Sequence, residues 1–141
     1  MAWRAHAERT LREAGLKPGG ARSAVIEALA DQDCCLLAAE IHESVRGRRP
    51  GVGIASVYRA LDTLTALGLV HRIDLRGDGA RYEPAEPSGD HHHHLVCGDC
   101  GKVEAFSDDR LETAIQSVSS AASFRIDEHD VVLRGRCASC A

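Results

Sequence analysis

Aromatic residues are scarce in this chain of 141 residues, which has two Phe, two Tyr and one Trp. A core drawn mostly from Ala, Leu, Val and Ile in so short a chain leaves a marginal ratio of buried to exposed surface, which a bound metal or a partner subunit commonly supplements. Both supplements are expected here. No apolar run approaches the ~20 residues that cross a bilayer, and the start Met1-Ala2-Trp3-Arg4 has no apolar signal segment, so a cytoplasmic protein without a membrane partner is expected. The length excludes a (β/α)8 barrel or a full dinucleotide-binding fold. With 44% hydrophobic and 27% charged residues, the composition is that of a globular protein of one domain or two very small ones.

The formal net charge is −4, the wrong sign for a nucleic-acid binder until the chain is divided. Up to Pro84 there are 12 Lys and Arg against 11 Asp and Glu; from Ala85 onward there are 5 against 10. The acidic excess belongs to the second part, which leaves the first able to meet phosphate.

Local pattern predicts a helix over Trp3 to Ala14, stopped at Gly15, then a loop at Lys17-Pro18-Gly19-Gly20. Helical spacing of Val25, Ile26, Ala28 and Leu29 predicts a second helix over Arg22 to Ala30, and Ala38, Ile41 and Val45 predict another over Ala38 to Val45. The helix Ile54 to Leu67 carries Val57, Leu61 and Leu64 on one stripe and stops at Gly68. Leu69 to Leu75 and Ala80 to Pro84 read as extended stretches around a Gly77/Gly79 turn. Helices followed by a hairpin make a winged helix-turn-helix over residues 1–84. Residues 85–90 mix Pro, Gly and acidic residues without periodicity and read as a hinge. A second domain, 91–141, is expected to hold strands at Leu95 to Cys97 and Lys102 to Phe106, a helix over Asp108 to Ala121, and one or two strands in Phe124 to Cys137. The expected class is α+β, a winged helix-turn-helix plus a C-terminal α/β domain.

Six cysteines in a reducing compartment read as metal ligands or free thiols before disulfides. Four form two C-x2-C knuckles, Cys97/Cys100 and Cys137/Cys140, and zinc closes such an all-sulfur tetrahedral shell. That shell has no open position, so its role is structural. Just before the first knuckle runs His91-His92-His93-His94. In a strand alternate side chains point to opposite faces, so His91 and His93 address one place and His92 and His94 another. Neutral imidazoles suit zinc, ferrous iron, nickel or copper. On the helix Ile54 to Leu67, Ser56, Tyr58 and Arg59 face outward near the N-terminal end, where a recognition helix meets base edges.

The sequence Gly53-Ile54-Ala55-Ser56-Val57-Tyr58-Arg59, the hinge, the His run joined to Cys97-Gly98-Asp99-Cys100, a late Glu128-His129-Asp130 and a terminal Cys137-Ala138-Ser139-Cys140 resemble the ferric uptake regulator (Fur) family of metal-sensing repressors. The resemblance covers nearly the whole chain. It implies a homodimer whose second domain is the dimerisation domain, bound to double-stranded operator DNA. It implies a structural zinc on Cys97, Cys100, Cys137 and Cys140, and a site on His91, His93, Glu112 and His129. It further implies a sensor at the hinge using Glu83, His92, His94 and a residue of the loop after the second helix, for which Cys35 is the candidate; Cys34, His71 or water are alternatives. The sensed divalent ion is zinc or ferrous iron, with thiolate favouring zinc. Read without the resemblance, Cys34-Cys35 is simply a small buried pair. Lys17 and Arg22 are implied at the minor groove and flanking phosphates. Metal at the hinge would fix the angle between the domains and so the spacing of two recognition helices.

Three rivals stand beside this. A peroxide-sensing repressor of the same family is disfavoured by Glu83 standing where an Asp would be needed. A zinc hydrolase or deaminase needs an open metal position and a general base, and neither H-E-x-x-H nor H-x-E followed by P-C-x-x-C is present. A zinc-ribbon interaction module would leave Tyr58 and Arg59 without a role.

Overall fold

The apolar stripes read above become buried helix faces. In the computed structural model, which describes residues 2–17, 19–32, 34–88 and 91–141, the elements run α1 Ala2–Glu13, α2 Gly20–Ala30, β1 Leu36–Leu37, α3 Ala38–Arg48, α4 Ile54–Ala66, β2 Val70–Ile73, β3 Arg81–Pro84, β4 His93–Cys97, β5 Val103–Phe106, α5 Asp109–Ala122 and β6 Val132–Gly135. Pro18 of the predicted loop and Gly89 and Asp90 of the predicted hinge lie outside the described residues. The chain divides into two compact units, Met1–Asp90 and His91–Ala141. This is the α+β class expected, a winged helix-turn-helix followed by a C-terminal α/β domain.

In the first unit Trp3, Ala7 and Leu11 of α1, Val25, Ile26 and Leu29 of α2, Ile41 and Val45 of α3, and Val57, Leu61 and Leu64 of α4 share one core. A Leu, Ile or Val so enclosed contributes about 1.5–3 kcal/mol relative to exposure. Helix α4 ends in a left-handed turn. Gly68 sits at φ 71, and the Leu69 N–H donates to the Leu64 carbonyl at 2.9 Å. That turn feeds β2, and the Leu69 carbonyl accepts two hydrogen bonds, from the Trp3 indole and from the Ala85 N–H, each at 2.9 Å. Ala85, the first residue of the predicted hinge, is thus buried and bonded within the first unit.

The wing is a sheet of order β1-β3-β2 with both pairings antiparallel. Gly77 takes φ 74 in its turn and its N–H donates to Asp74 Oδ1 at 2.8 Å. Strand β1 was not expected, because two residues carry no readable alternation. It pairs Leu36 with Tyr82 and Leu37 with Arg81.

The second unit has a sheet of order β5-β4-β6, in which β4 runs antiparallel to β5 and parallel to β6. Asp108 caps α5: its side chain accepts from the Arg110 N–H at 2.8 Å, and the Arg110 guanidinium together with that N–H holds its carboxyl down at about 2. The strands predicted within Phe124 to Cys137 reduce to β6. A parallel partner for β4 requires the chain to return to the start of the sheet, and the residues after α5 make that return as non-strand chain. Among the described residues this unit buries only His93, His94, Val96 and Cys97, while Leu95, Val118, Phe124 and Leu133 are exposed. No helix among the described residues is long and apolar enough to cross a membrane.

Candidate functional site

Strand β4 ends at its first knuckle cysteine, and the chain after β6 delivers the second pair. The Sγ atoms of Cys97, Cys100, Cys137 and Cys140 all lie within 4.8 Å of one another. Cys100 and Cys137 sulfurs are 3.7 Å apart, and the Cys137 N–H donates to the Cys97 sulfur at 3.4 Å. Backbone N–H groups of Cys100 and then Cys137 lower the Cys97 thiol to about 6. Its neighbour Cys140 is pushed up to about 12, first by hydrogen bonding to the Cys137 thiol and then to Cys100 and Cys97. One thiolate is favoured and the next is resisted, since four sulfurs cannot all ionise together without a cation. Four converging soft donors with that imbalance fit a closed tetrahedral zinc shell.

The alternation of β4 separates the His run. His91 and His93 rings stack edge-on at 4.9 Å between centroids, and His92 and His94 do so at 5.1 Å. On the first of these faces, one carboxylate gathers three imidazoles: Glu112 Oε1 lies 2.6 Å from His93 Nε2, and Oε2 lies 2.7 Å from His129 Nε2 and 3.6 Å from His91 Nε2. Glu112 stands in the first turn of α5, just after the Asp108 cap. Its carboxyl is lowered, first by the hydrogen bond from His93, against the cost of desolvation. Three imidazole nitrogens and one carboxylate suit zinc or ferrous iron. The backbone N–H of Val131 donates to His93 Nδ1 at 3.2 Å. No side-chain motif announces that contact, and sequence reasoning had no signal for it.

Of the residues expected at the sensor, Glu83 and Cys35 are buried in the first unit, and His92 and His94 belong to the second. Cys34 Sγ lies 3.6 Å from Cys35 Sγ. His71 stands opposite Glu83 in the β2–β3 register but is exposed, and it joins none of the donor clusters of three or more found among the described residues.

On α4, Tyr58 and Arg59 are exposed and Ser56 is half-buried, while Val57, Ala60 and Leu61 face the core. Arg59 Nη2 donates to Ser56 Oγ at 3.0 Å, which extends the guanidinium along the helix surface. Arg22, Ser56 and Arg59 line one open cleft of about 300 Å³ with the backbone of Gly19 and Gly20. Arg22 Nη1 donates to the Lys17 carbonyl at 3.1 Å, and the Lys17 side chain is exposed beside it. The cleft gathers two guanidiniums and a hydroxyl, a set that suits phosphate oxygens.

The sequence profile of the ferric uptake regulator family matches residues 13–134. The ferric uptake regulation protein of Legionella pneumophila is 34% identical over 131 residues, covering 92% of this chain and 95% of that protein. The structure of the Helicobacter pylori ferric uptake regulator, described as having three functional metal-binding sites, superposes with a TM-score of 0.84 at 28% identity, covering 98% of this chain and 91% of that one. The Pseudomonas aeruginosa ferric uptake regulator with manganese superposes at 0.76 with 30% identity, covering 91% and 95%. The chain therefore belongs to the ferric uptake regulator family, whose members are metal-responsive transcription regulators and not enzymes.

Proposed function

We propose that this chain is a cytoplasmic, homodimeric repressor that binds double-stranded operator DNA when a divalent metal is loaded. The observation that carries the reading is the convergence of His91, His93 and His129 on the single carboxylate of Glu112, in a chain that also presents Tyr58 and Arg59 from a winged helix. Its organisation is a DNA-binding domain over 1–84, a hinge over 85–90 and a metal-binding dimerisation domain over 91–141. Cys97, Cys100, Cys137 and Cys140 hold structural zinc. Glu83, His92, His94 and Cys35 hold the regulatory ion, zinc or ferrous iron, and His91, His93, Glu112 and His129 hold a further one. The manganese and the three metal sites of the relatives support a protein of more than one metal centre.

Recognition follows from the surface. Arg59 pairs with guanine, Tyr58 meets a thymine methyl or a phosphate, and Ser56, Lys17 and Arg22 grip the flanking backbone. Exposed Leu95, Val118, Phe124 and Leu133 on so small a second unit favour a second copy as cover.

The test is duplex selection from a random pool by the full chain, with zinc, ferrous iron or chelator present, followed by binding isotherms on the selected sequence. Binding is expected only with metal, and His92→Ala is expected to abolish that dependence while the zinc on the four cysteines stays. Equal affinity for selected and random duplex at every metal concentration would overturn the reading.

A further inference from the structure

We infer that Cys34 and Cys35 form one dithiol clamp, closing both sulfurs on a single thiophilic cation of the zinc–cadmium class. The inference deepens the sensor reading above by naming two sulfur donors where that reading uses one. Its geometry rests on residues of the first unit alone.

The two sulfurs are 3.6 Å apart, and the structure carries its own ruler for that distance. Cys100 and Cys137, in the four-cysteine cluster, are 3.7 Å apart. Two sulfurs each about 2.3 Å from a tetrahedral ion are separated by about 3.7 Å, so the Cys34–Cys35 pair is already at chelating distance. The same pair is badly placed to bond to itself. Adjacent residues across a trans peptide have Cα atoms about 3.8 Å apart, below the ~4.4–6.8 Å span that disulfides prefer. The thiols are thereby kept as donors.

Their surroundings attract positive charge. The β1–β3 register pairs Leu36 with Tyr82, and its continuation sets Cys35 beside Glu83, both side chains buried. Cys34 is only half-buried and gives an ion its way in. On binding, two S–H bonds give way to two sulfur–metal bonds, two protons pass to solvent and no electron moves. Paired thiolates prefer zinc or cadmium over ferrous iron.

The experiment is a cadmium titration of the full chain with zinc already on the four-cysteine centre and any released zinc recorded. The sulfur-to-cadmium charge-transfer absorption per added ion should have the intensity of two sulfurs, a readout that needs no variant. Cys34→Ser and Cys35→Ser should each halve it and weaken zinc and cadmium binding at least a hundredfold. That is beyond the ~10–100-fold that loss of an outer-shell partner costs. One-sulfur intensity in the wild type, or wild-type affinity in Cys34→Ser, would overturn the clamp. If the sensor reading alone is wrong, DNA binding will ignore the metal while the two-sulfur band persists.

Discussion

His93 is held from both ring nitrogens: its Nδ1 accepts the backbone N–H of Val131 at 3.2 Å, and its Nε2 lies 2.6 Å from Glu112 Oε1. A neutral imidazole that accepts at Nδ1 carries its proton on Nε2, so Nε2 donates to Glu112. A metal bound at Nε2 requires that proton to move to Nδ1, which then can no longer accept from Val131. Zinc uptake at this site is therefore expected to break the Val131–His93 hydrogen bond, and Glu112→Gln is expected to weaken uptake by at least about tenfold. Amide exchange at Val131 with and without zinc measures the first, and a zinc-binding isotherm the second. An unchanged Val131 amide on zinc loading would count against the change of tautomer.

The same carboxylate makes stability depend on pH. Its folded value is lowered, chiefly by the His93 hydrogen bond, with His129 and His91 adding to it. A lowered carboxyl contributes stability that is fully present above its unfolded value and is lost as pH falls through the folded value. With no metal on the histidines, the difference in Tm between wild type and Glu112→Gln should be constant near neutrality and shrink in the acid range. Both proteins carry the same four cysteines, so that centre's own acid lability cancels in the difference. A difference that grows on acidification would show the sign to be wrong.

Cys97→Ser should cost the second unit its zinc and its fold. That unit buries little beyond Val96 and Cys97 among its apolar residues, and in small domains of this kind metal binding supplies the folding energy. Zinc content and amide exchange read separately for residues 91–141 are the measurements. A protected, zinc-free second unit would refute the expectation.

Arg59 is exposed on α4, and among the described residues its guanidinium bonds along its own helix, to Ser56 Oγ. Arg59→Ala should leave Tm and metal content unchanged and weaken specific DNA binding by about 1–3 kcal/mol if the contact is bidentate. Lys17→Ala, at a position proposed above to meet phosphate, should instead weaken all sequences alike and lower the salt slope by about 1. Isotherms across a salt series distinguish the two residues.

Trp3→Phe removes the indole donor to Leu69 but leaves that carbonyl its second partner, the Ala85 N–H. The cost should therefore be about 0.5–1.5 kcal/mol for the hydrogen bond plus a cavity term, against about 3–5 kcal/mol for Trp3→Ala. Urea unfolding followed by circular dichroism gives both values, and equal losses would show that the packing a Phe ring retains contributes nothing at this position.

Much of the fold was legible because its instructions are local. The spacing of Val57, Leu61 and Leu64 sets the buried face of α4, and with it the outward direction of Tyr58 and Arg59, whatever the neighbours are. Gly68 and Gly77 mark turns whose backbone angles other residues resist. A period of two along the His run is enough to divide His91 and His93 from His92 and His94. The knuckle spacing carried the four-sulfur cluster in the same way.

What only the tertiary structure decided depends on partners distant in sequence. Strand β1 exists because β3 offers it an edge, and its two residues have no pattern of their own. The segment after α5 alternates like a strand at Phe124 and Ile126, yet it serves as the return path that lets β6 lie parallel to β4. Ala85 reads as linker, but the Leu69 carbonyl captures its N–H. The proton on His93 is placed by a backbone amide 38 residues away. Periodicity fixes which residues share a face; closure of the chain on itself fixes what that face meets, and hydrogen-bond partners and the sulfur–sulfur distance at Cys34–Cys35 are set only at that second step.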